Sequence, residues 1–297
     1  MHMSAPRFVI HVGPSKTGTS AIQGALAANR DELLRHGILY PGSEWHSEKH
    51  NILLAGAKSR RSLPRLLRQR VANSGHSAQE IFASELNSLH QQIAASQPRI
   101  VILSAEGFFF DPSRHGVPYF WSRVVDGAAA RIEFVAYMRD PADRYLSMVQ
   151  QELKHSSTFR PPRPVSVRRV LDGLEKVSPG GVGVRSYDEC RRQGRDIARD
   201  FLESIVPGND WSSITAEKRN QSLSAETMTI AQDYRRGIRD EVADHVPRSD
   251  ATALLKNLQE TRGFINYGKM KSNLIQEVQS KSRRVNNKQQ TPKVNVS

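Results

Sequence analysis

Gly13-Pro14-Ser15-Lys16-Thr17-Gly18-Thr19-Ser20 is the segment in which residue type and spacing point most directly to chemistry. Two glycines allow tight backbone turns, consecutive N–H groups can face a phosphate, and the Thr19 and Ser20 hydroxyls stand at the positive end of a following helix. Anion binding is the chemistry these parts serve. Far along the chain, Arg139-Asp140-Pro141 follows an apolar run. A guanidinium there can fork two N–H donors onto phosphate oxygens, and Pro141 opens a helix that carries Ser147 about two turns further on. Each charge-assisted contact of that kind contributes about 1.5–3 kcal/mol. Glycine turns and Arg-Asp-Pro caps also occur with no ligand. Two anion grips on separate strand–helix units, however, suit a ligand with two separated phosphates better than a simple triphosphate.

The first loop is not a Walker A motif. That pattern needs lysine directly after the second glycine, where this chain has Thr19, and the loop's lysine is Lys16. No aspartate in the next strand is a clear magnesium ligand. Hydrolysis of a nucleoside triphosphate is therefore disfavoured.

The elements that must position these residues are legible as apolar runs. Phe8–Val12 stops at Gly13, and Ile22, Leu26 and Leu33 follow at helical spacing. Ile100–Leu103 comes after a helical stretch near Ala78 to Ala95 and exits through Ser104-Ala105-Glu106-Gly107. Ile132–Met138 exits at Arg139 and leads into a helix through Leu146, Val149 and Leu153. A shorter strand is expected at Gly183–Ser186, before a helical run from Ile197 to Ile205. Continuous apolar strands alternating with helices predict an α/β fold, a central parallel sheet flanked by helices. In such sheets ligands bind beyond the carboxyl ends of the strands, where the polar motifs lie. One domain over residues 4–279, with a helical C-terminal portion from Thr215, and a basic polar tail over 280–297 without fixed structure are expected.

Composition narrows the partners. The 43 Lys and Arg against 30 Asp and Glu leave +13, so an anionic partner is expected. The basic residues are spread along the chain and aromatics make only 7%, so nucleic acid is not the expected partner. No run approaches the roughly 18 apolar residues of a membrane span, and no charged-then-apolar leader is visible. Cys190 is the lone cysteine, which rules out an internal disulfide and a cysteine-rich zinc site and favours a cytoplasmic setting. Nothing in the sequence speaks to oligomeric state.

Taken together, the Lys16-Thr17-Gly18-Thr19-Ser20 core and the Arg139 to Ser147 segment resemble the PAPS-dependent sulfotransferases, especially bacterial and carbohydrate-type members. The resemblance spans roughly Phe8 to Tyr187. In that family a Pro-Lys-x-Gly-Thr loop grips the 5′-phosphosulfate of 3′-phosphoadenosine 5′-phosphosulfate (PAPS), and an arginine with a serine eight positions on holds the 3′-phosphate. Here one residue, Ser15, is inserted between Pro14 and Lys16, and the register from Lys16 to Gly18 is intact. The resemblance implies donor contacts from Ser15, Lys16, Thr17, Gly18, Thr19, Ser20, Arg139 and Ser147, and looser ones from Arg219.

By the same resemblance, the chain is expected to move a sulfuryl group from PAPS, releasing PAP, to an acceptor hydroxyl on a carbohydrate or other small molecule, with no metal required. Lys16 would neutralise charge on the leaving phosphate. Glu106, just past the second strand, would be the general base, a role worth about 10²- to 10⁴-fold. His50 and His115 are rival bases. A small-molecule kinase using ATP and magnesium, and a non-catalytic nucleotide- or polyanion-binding protein, are the alternatives. Phe108, Phe109 and Phe110 could wall a pocket or pack in the core, Tyr187 could lie beside an adenine or in the core, and Cys190 reads as a small buried residue.

Overall fold

A computed structural model describes residues 5–45, 48–54, 65–106, 132–153, 158–159, 161–162, 167–176, 178, 180–214 and 228–229. The chain divides into two compact units, Met1–Met138 with Ser166–Lys218, and Arg139–Val165 with Arg219–Ser297.

The first unit is built on a parallel sheet. Its strands are β1 (Arg7–Val12), β2 (Ile38–Leu39), β3 (Ile100–Ser104), β4 (Ile132–Met138) and β5 (Val182–Ser186), in the order β2-β3-β1-β4-β5. β1 lies at the centre, paired in parallel with β3 (His11↔Ser104) and β4 (Val12↔Ala136). Alternation sends Phe8, Ile10 and Val12 to one face and Val9 and His11 to the other. The first face packs on α3 (Arg65–Asn73), α4 (Ala78–Ser96), α6 (Val167–Glu175) and the 3₁₀ turn Asn51–Leu54, through Val71, Ile81, Phe82, Leu89, Leu174, Ile52 and Leu53. The second packs on α1 (Thr19–Ala28), α2 (Arg30–Arg35) and α8 (Ile197–Ile205), through Ile22, Leu26, Leu33, Phe201 and Leu202. A short helix, α7 (Tyr187–Arg192), joins β5 to α8. Burial on both faces is why the central strands carry no alternating polar residues.

Helix starts follow local chemistry. Ser77 and Glu80 form a reciprocal capping box at α4, with Glu80 N–H donating to Ser77 Oγ (3.1 Å) and Ser77 N–H to Glu80 Oε2 (2.7 Å). Asp196 Oδ1 accepts from the Ala198 and Arg199 amides at the start of α8. The helical spacing from Ile22 to Leu33 resolves into two helices, because Asn29 breaks the run and its side chain turns back to the Ala25 carbonyl.

In the second unit, α5 (Pro141–Leu153) buries Ala142, Tyr145, Val149 and Leu153 with Met228. The helical stretch expected from Thr215 and the tail over 280–297 lie outside the described residues, apart from helical Met228–Thr229. Among the described residues no helix is long and apolar enough to cross a membrane.

Candidate functional site

The turn from β1 into α1 is held by close contacts that fix its residue types. A Cβ on Gly13 would sit 3.0 Å from Thr17 Oγ1 and 3.3 Å from the Tyr137 carbonyl oxygen of β4. Gly18 has φ 85°, and a Cβ there would meet the Tyr187 ring at 2.9 Å. Between them Lys16 has φ 75°, left-handed backbone that costs a non-glycine residue about 1–2 kcal/mol. Such conformations persist where surrounding structure enforces them and gather at ligand-binding turns.

Within this loop the side chains divide. Ser15, Lys16 and Ser20 are half-buried, whereas Thr17 and Thr19 are buried. The Thr17 hydroxyl donates to the Pro14 carbonyl at 2.8 Å and also lies 3.5 Å from Thr19 Oγ1. The Thr17 hydroxyl thus braces the turn, so the expected donation from Thr17 to an anion falls to its backbone N–H. At the head of α1 no side chain caps the helix, and its first turn carries no acidic residue. The Thr19 and Ser20 amides have no intrahelical acceptor there, and the helix end is electropositive.

β3 ends beside this loop. The His11↔Ser104 pairing places Gly13 and Glu106 each two residues beyond a matched pair, at the same carboxyl end of the sheet. Glu106 is half-buried. Just ahead of it lies a buried polar cluster. Ser104 Oγ is 2.8 Å from His11 Nδ1 and accepts from Gln23 Nε2 of α1 at 2.9 Å. The Ser104 amide donates to His50 Nδ1 (3.0 Å), the His50 amide donates to the Ser104 carbonyl (3.0 Å), and His50 Nε2–H donates to the Pro41 carbonyl (3.1 Å).

A carbonyl only accepts, so His50 carries its proton on Nε2 and offers Nδ1 as the acceptor that Ser104 uses. Both ring nitrogens are engaged and the residue is buried, so His50 is not a base for an external hydroxyl. Burial pushes His11 down to about 3, so it is neutral at ordinary pH. Its Nε2 and Gln23 Oε1 are fully buried and lack partners among the described residues. An unmet buried polar group costs about 1–3 kcal/mol, so stability alone would favour apolar side chains here.

A second buried cluster holds β5 and α8 together. Asp200 accepts from Arg185 Nε and Nη2 (both 2.7 Å), from Tyr137 Oη (2.5 Å) and pairs with Arg195 (2.9 Å). Burial pushes the Asp200 carboxyl up, but the Arg185 and Tyr137 bonds and the two arginine charges outweigh it and hold it below the usual range. The same bonds to Asp200 hold the Arg185 guanidinium firmly protonated. Arg185 precedes Tyr187 by two positions, so this cluster also fixes the strand end that sets Tyr187 against Gly18. Tyr187 is half-buried in this packing role, and Cys190 is buried, its thiol pushed up to about 11 by that burial.

In the second unit, Arg139 is half-buried and directly follows β4 in sequence. Asp140 Oδ1 accepts from the Ala142 and Asp143 amides (2.9 and 3.0 Å), so the capping role at α5 belongs to Asp140. Ser147 is half-buried, away from the buried stripe of Ala142, Leu146 and Val149. Arg144, on that same outer side, is half-buried, and burial lowers its pKa. Arg219, His115 and Phe108–Phe110 lie outside the described residues. Among the described residues, no three His, Cys, Asp or Glu gather as a metal site.

Sequence reasoning marked Ser104 only as part of the polar exit of β3 and did not single out His11, Gln23 or Asp200. A histidine inside the apolar run Phe8–Val12 was the one available signal.

No family model matches the chain, and no curated protein matches it. Among solved structures, one from the characterisation of the PezAT chromosomal toxin–antitoxin system of Streptococcus pneumoniae aligns at 13% identity. It covers 80% of this chain and 89% of that one, with a TM-score of 0.33.

Proposed function

We propose that the chain is a sulfotransferase that moves a sulfuryl group from PAPS to a hydroxyl, on a carbohydrate. The observation that carries this proposal is the loop from Ser15 to Ser20, with left-handed backbone at Lys16 and Gly18 and an uncapped helix behind it, at the carboxyl end of the sheet where Glu106 emerges. Its donors fit a 5′-phosphosulfate: backbone N–H groups of Thr17, Gly18, Thr19 and Ser20, the Ser15 and Ser20 hydroxyls, and the Lys16 ammonium. Arg139 and Ser147 are proposed for the 3′-phosphate on the sequence resemblance alone.

In the transfer an acceptor oxygen forms a bond to sulfur as the bond from sulfur to the phosphate oxygen breaks. Glu106 takes the acceptor's proton, and Lys16 stabilises the negative charge that grows on the departing phosphate. PAP and a sulfate ester result. The balance needs no redox partner.

Thermal-shift titration separates this from nucleotide phosphoryl transfer. PAP and PAPS are expected to raise the melting temperature, and ATP with magnesium to leave it unchanged. A shift with ATP–magnesium and none with PAP would remove the sulfotransferase proposal.

A further inference from the structure

The residues just before Glu106 are pinned from every side. β2 stops at Leu39 after pairing only with Ile100 and Val101, so it does not reach the exit of β3. At that exit His50 takes the place of a strand: its amide donates to the Ser104 carbonyl and its imidazole accepts from the Ser104 amide. On the opposite side the Ala105 amide donates to the His11 carbonyl of β1 at 3.0 Å. The Ser104 side chain meanwhile reaches Gln23, one turn into the helix that carries the loop of Lys16. Glu106 lies two residues beyond Ser104.

Resting on the sulfotransferase proposal above, we propose that the His50–Ser104 pair is a positioning clamp. It fixes the carboxylate of Glu106 relative to the donor loop, His50 acting through Ser104 and touching no substrate. The two unmet groups at His11 and Gln23 fit this role, because a clamp kept for geometry tolerates imperfect pairing where a core kept for stability would replace it with apolar contacts. Misplacing a catalytic group by about 1 Å can cost about 10²-fold in rate.

The experiment compares wild type, His50→Ala, His50→Asn and His50→Leu in a sulfuryl-transfer assay, a PAP titration and amide hydrogen exchange at Ser104 to Glu106. His50→Ala is expected to lower kcat about 10²-fold while PAP affinity stays within about twofold. His50→Asn, whose Oδ1 stands where Nδ1 was, is expected to restore most of the rate although asparagine is no base. Exchange at the Ser104 amide is expected to rise in His50→Ala and return in His50→Asn. Wild-type kcat in His50→Ala, or a PAP affinity that falls in step with kcat, would overturn the clamp. If His50→Ala does not fold, His50→Leu decides, because it fills the site but offers the Ser104 amide no acceptor: unchanged kcat overturns the proposal, and a loss of at least tenfold with PAP binding intact supports it. A wild type that transfers no sulfuryl group would overturn the functional proposal and the clamp's catalytic purpose. The exchange data would still show separately whether His50 holds β3.

Discussion

Gly18→Ala probes the donor loop where it is most tightly determined. At φ 85° an alanine carries the left-handed penalty of about 1–2 kcal/mol. Its Cβ would approach Tyr187 Cε2 to 2.9 Å and Ile197 Cγ1 to 3.2 Å, and overpacking of that kind costs about 1–3 kcal/mol. The narrower unfolded ensemble of alanine returns about 0.4–1 kcal/mol. The net expectation is a loss of about 1–5 kcal/mol. Urea unfolding followed by tryptophan fluorescence reads it, since Trp211 is buried in the same core cluster. Adding Tyr187→Ala removes the ring contact and leaves the backbone penalty, so a double-mutant cycle should show a coupling of about 0.5–3 kcal/mol. Gly18→Ala within about 0.5 kcal/mol of wild type would refute the left-handed, ring-packed turn on which the anion cradle depends.

Lys16→Ala is expected to fold normally and to lose about 10²- to 10³-fold in kcat, measured by sulfuryl transfer at saturating donor; an unchanged kcat would take Lys16 out of the chemistry. Glu106→Gln should keep PAP affinity and lose about 10²- to 10⁴-fold in turnover. Parallel loss of PAP binding would make Glu106 a structural residue instead. His11 is held near 3 in the folded protein against 6.5 unfolded, so its contribution is complete above about pH 6.5. That contribution falls by about 1.4 kcal/mol per pH unit toward pH 3. His11→Asn should flatten the stability–pH curve there by one proton, and an unaltered slope would contradict the buried neutral histidine. Asp200→Asn should cost about 3 kcal/mol near neutral pH, at the low end for a buried pair because Arg195 is partly solvated. Asp200 is depressed in the folded state, so its contribution is present above the unfolded value of 3.8 and fades as acid protonates it below that. The variant's deficit should therefore shrink on acidification.

The sheet was legible wherever burial on both faces made a strand continuously apolar, as in Phe8–Val12, Ile100–Leu103 and Ile132–Met138. β2 was not, because Ile38–Leu39 is too short to carry any period. The glycine loop and the capping aspartate at α5 are local, so residue spacing revealed them. The cluster around Ser104 is not local: its partners lie 54, 81 and 93 positions away in His50, Gln23 and His11. A serine closing a strand and a histidine preceding a turn carry no mark in sequence of the register that unites them. His50 looked like a free base for the same reason, since only coordinates show both of its nitrogens in use. The Asp200 cluster joins β4, β5 and α8 in the same long-range way.

The proposed function requires a donor recognised by both its 5′- and its 3′-phosphate, and equilibrium titration with PAP and with AMP, which lacks the 3′-phosphate, tests it most directly. PAP is expected to bind about 10- to 150-fold more tightly than AMP, the equivalent of one charge-assisted contact of about 1.5–3 kcal/mol. Arg139→Ala should remove most of that difference, leaving the share of Ser147, while Lys16→Ala weakens both ligands alike. Equal affinity of wild type for PAP and AMP, or a PAP preference undiminished by Arg139→Ala, would contradict the proposal.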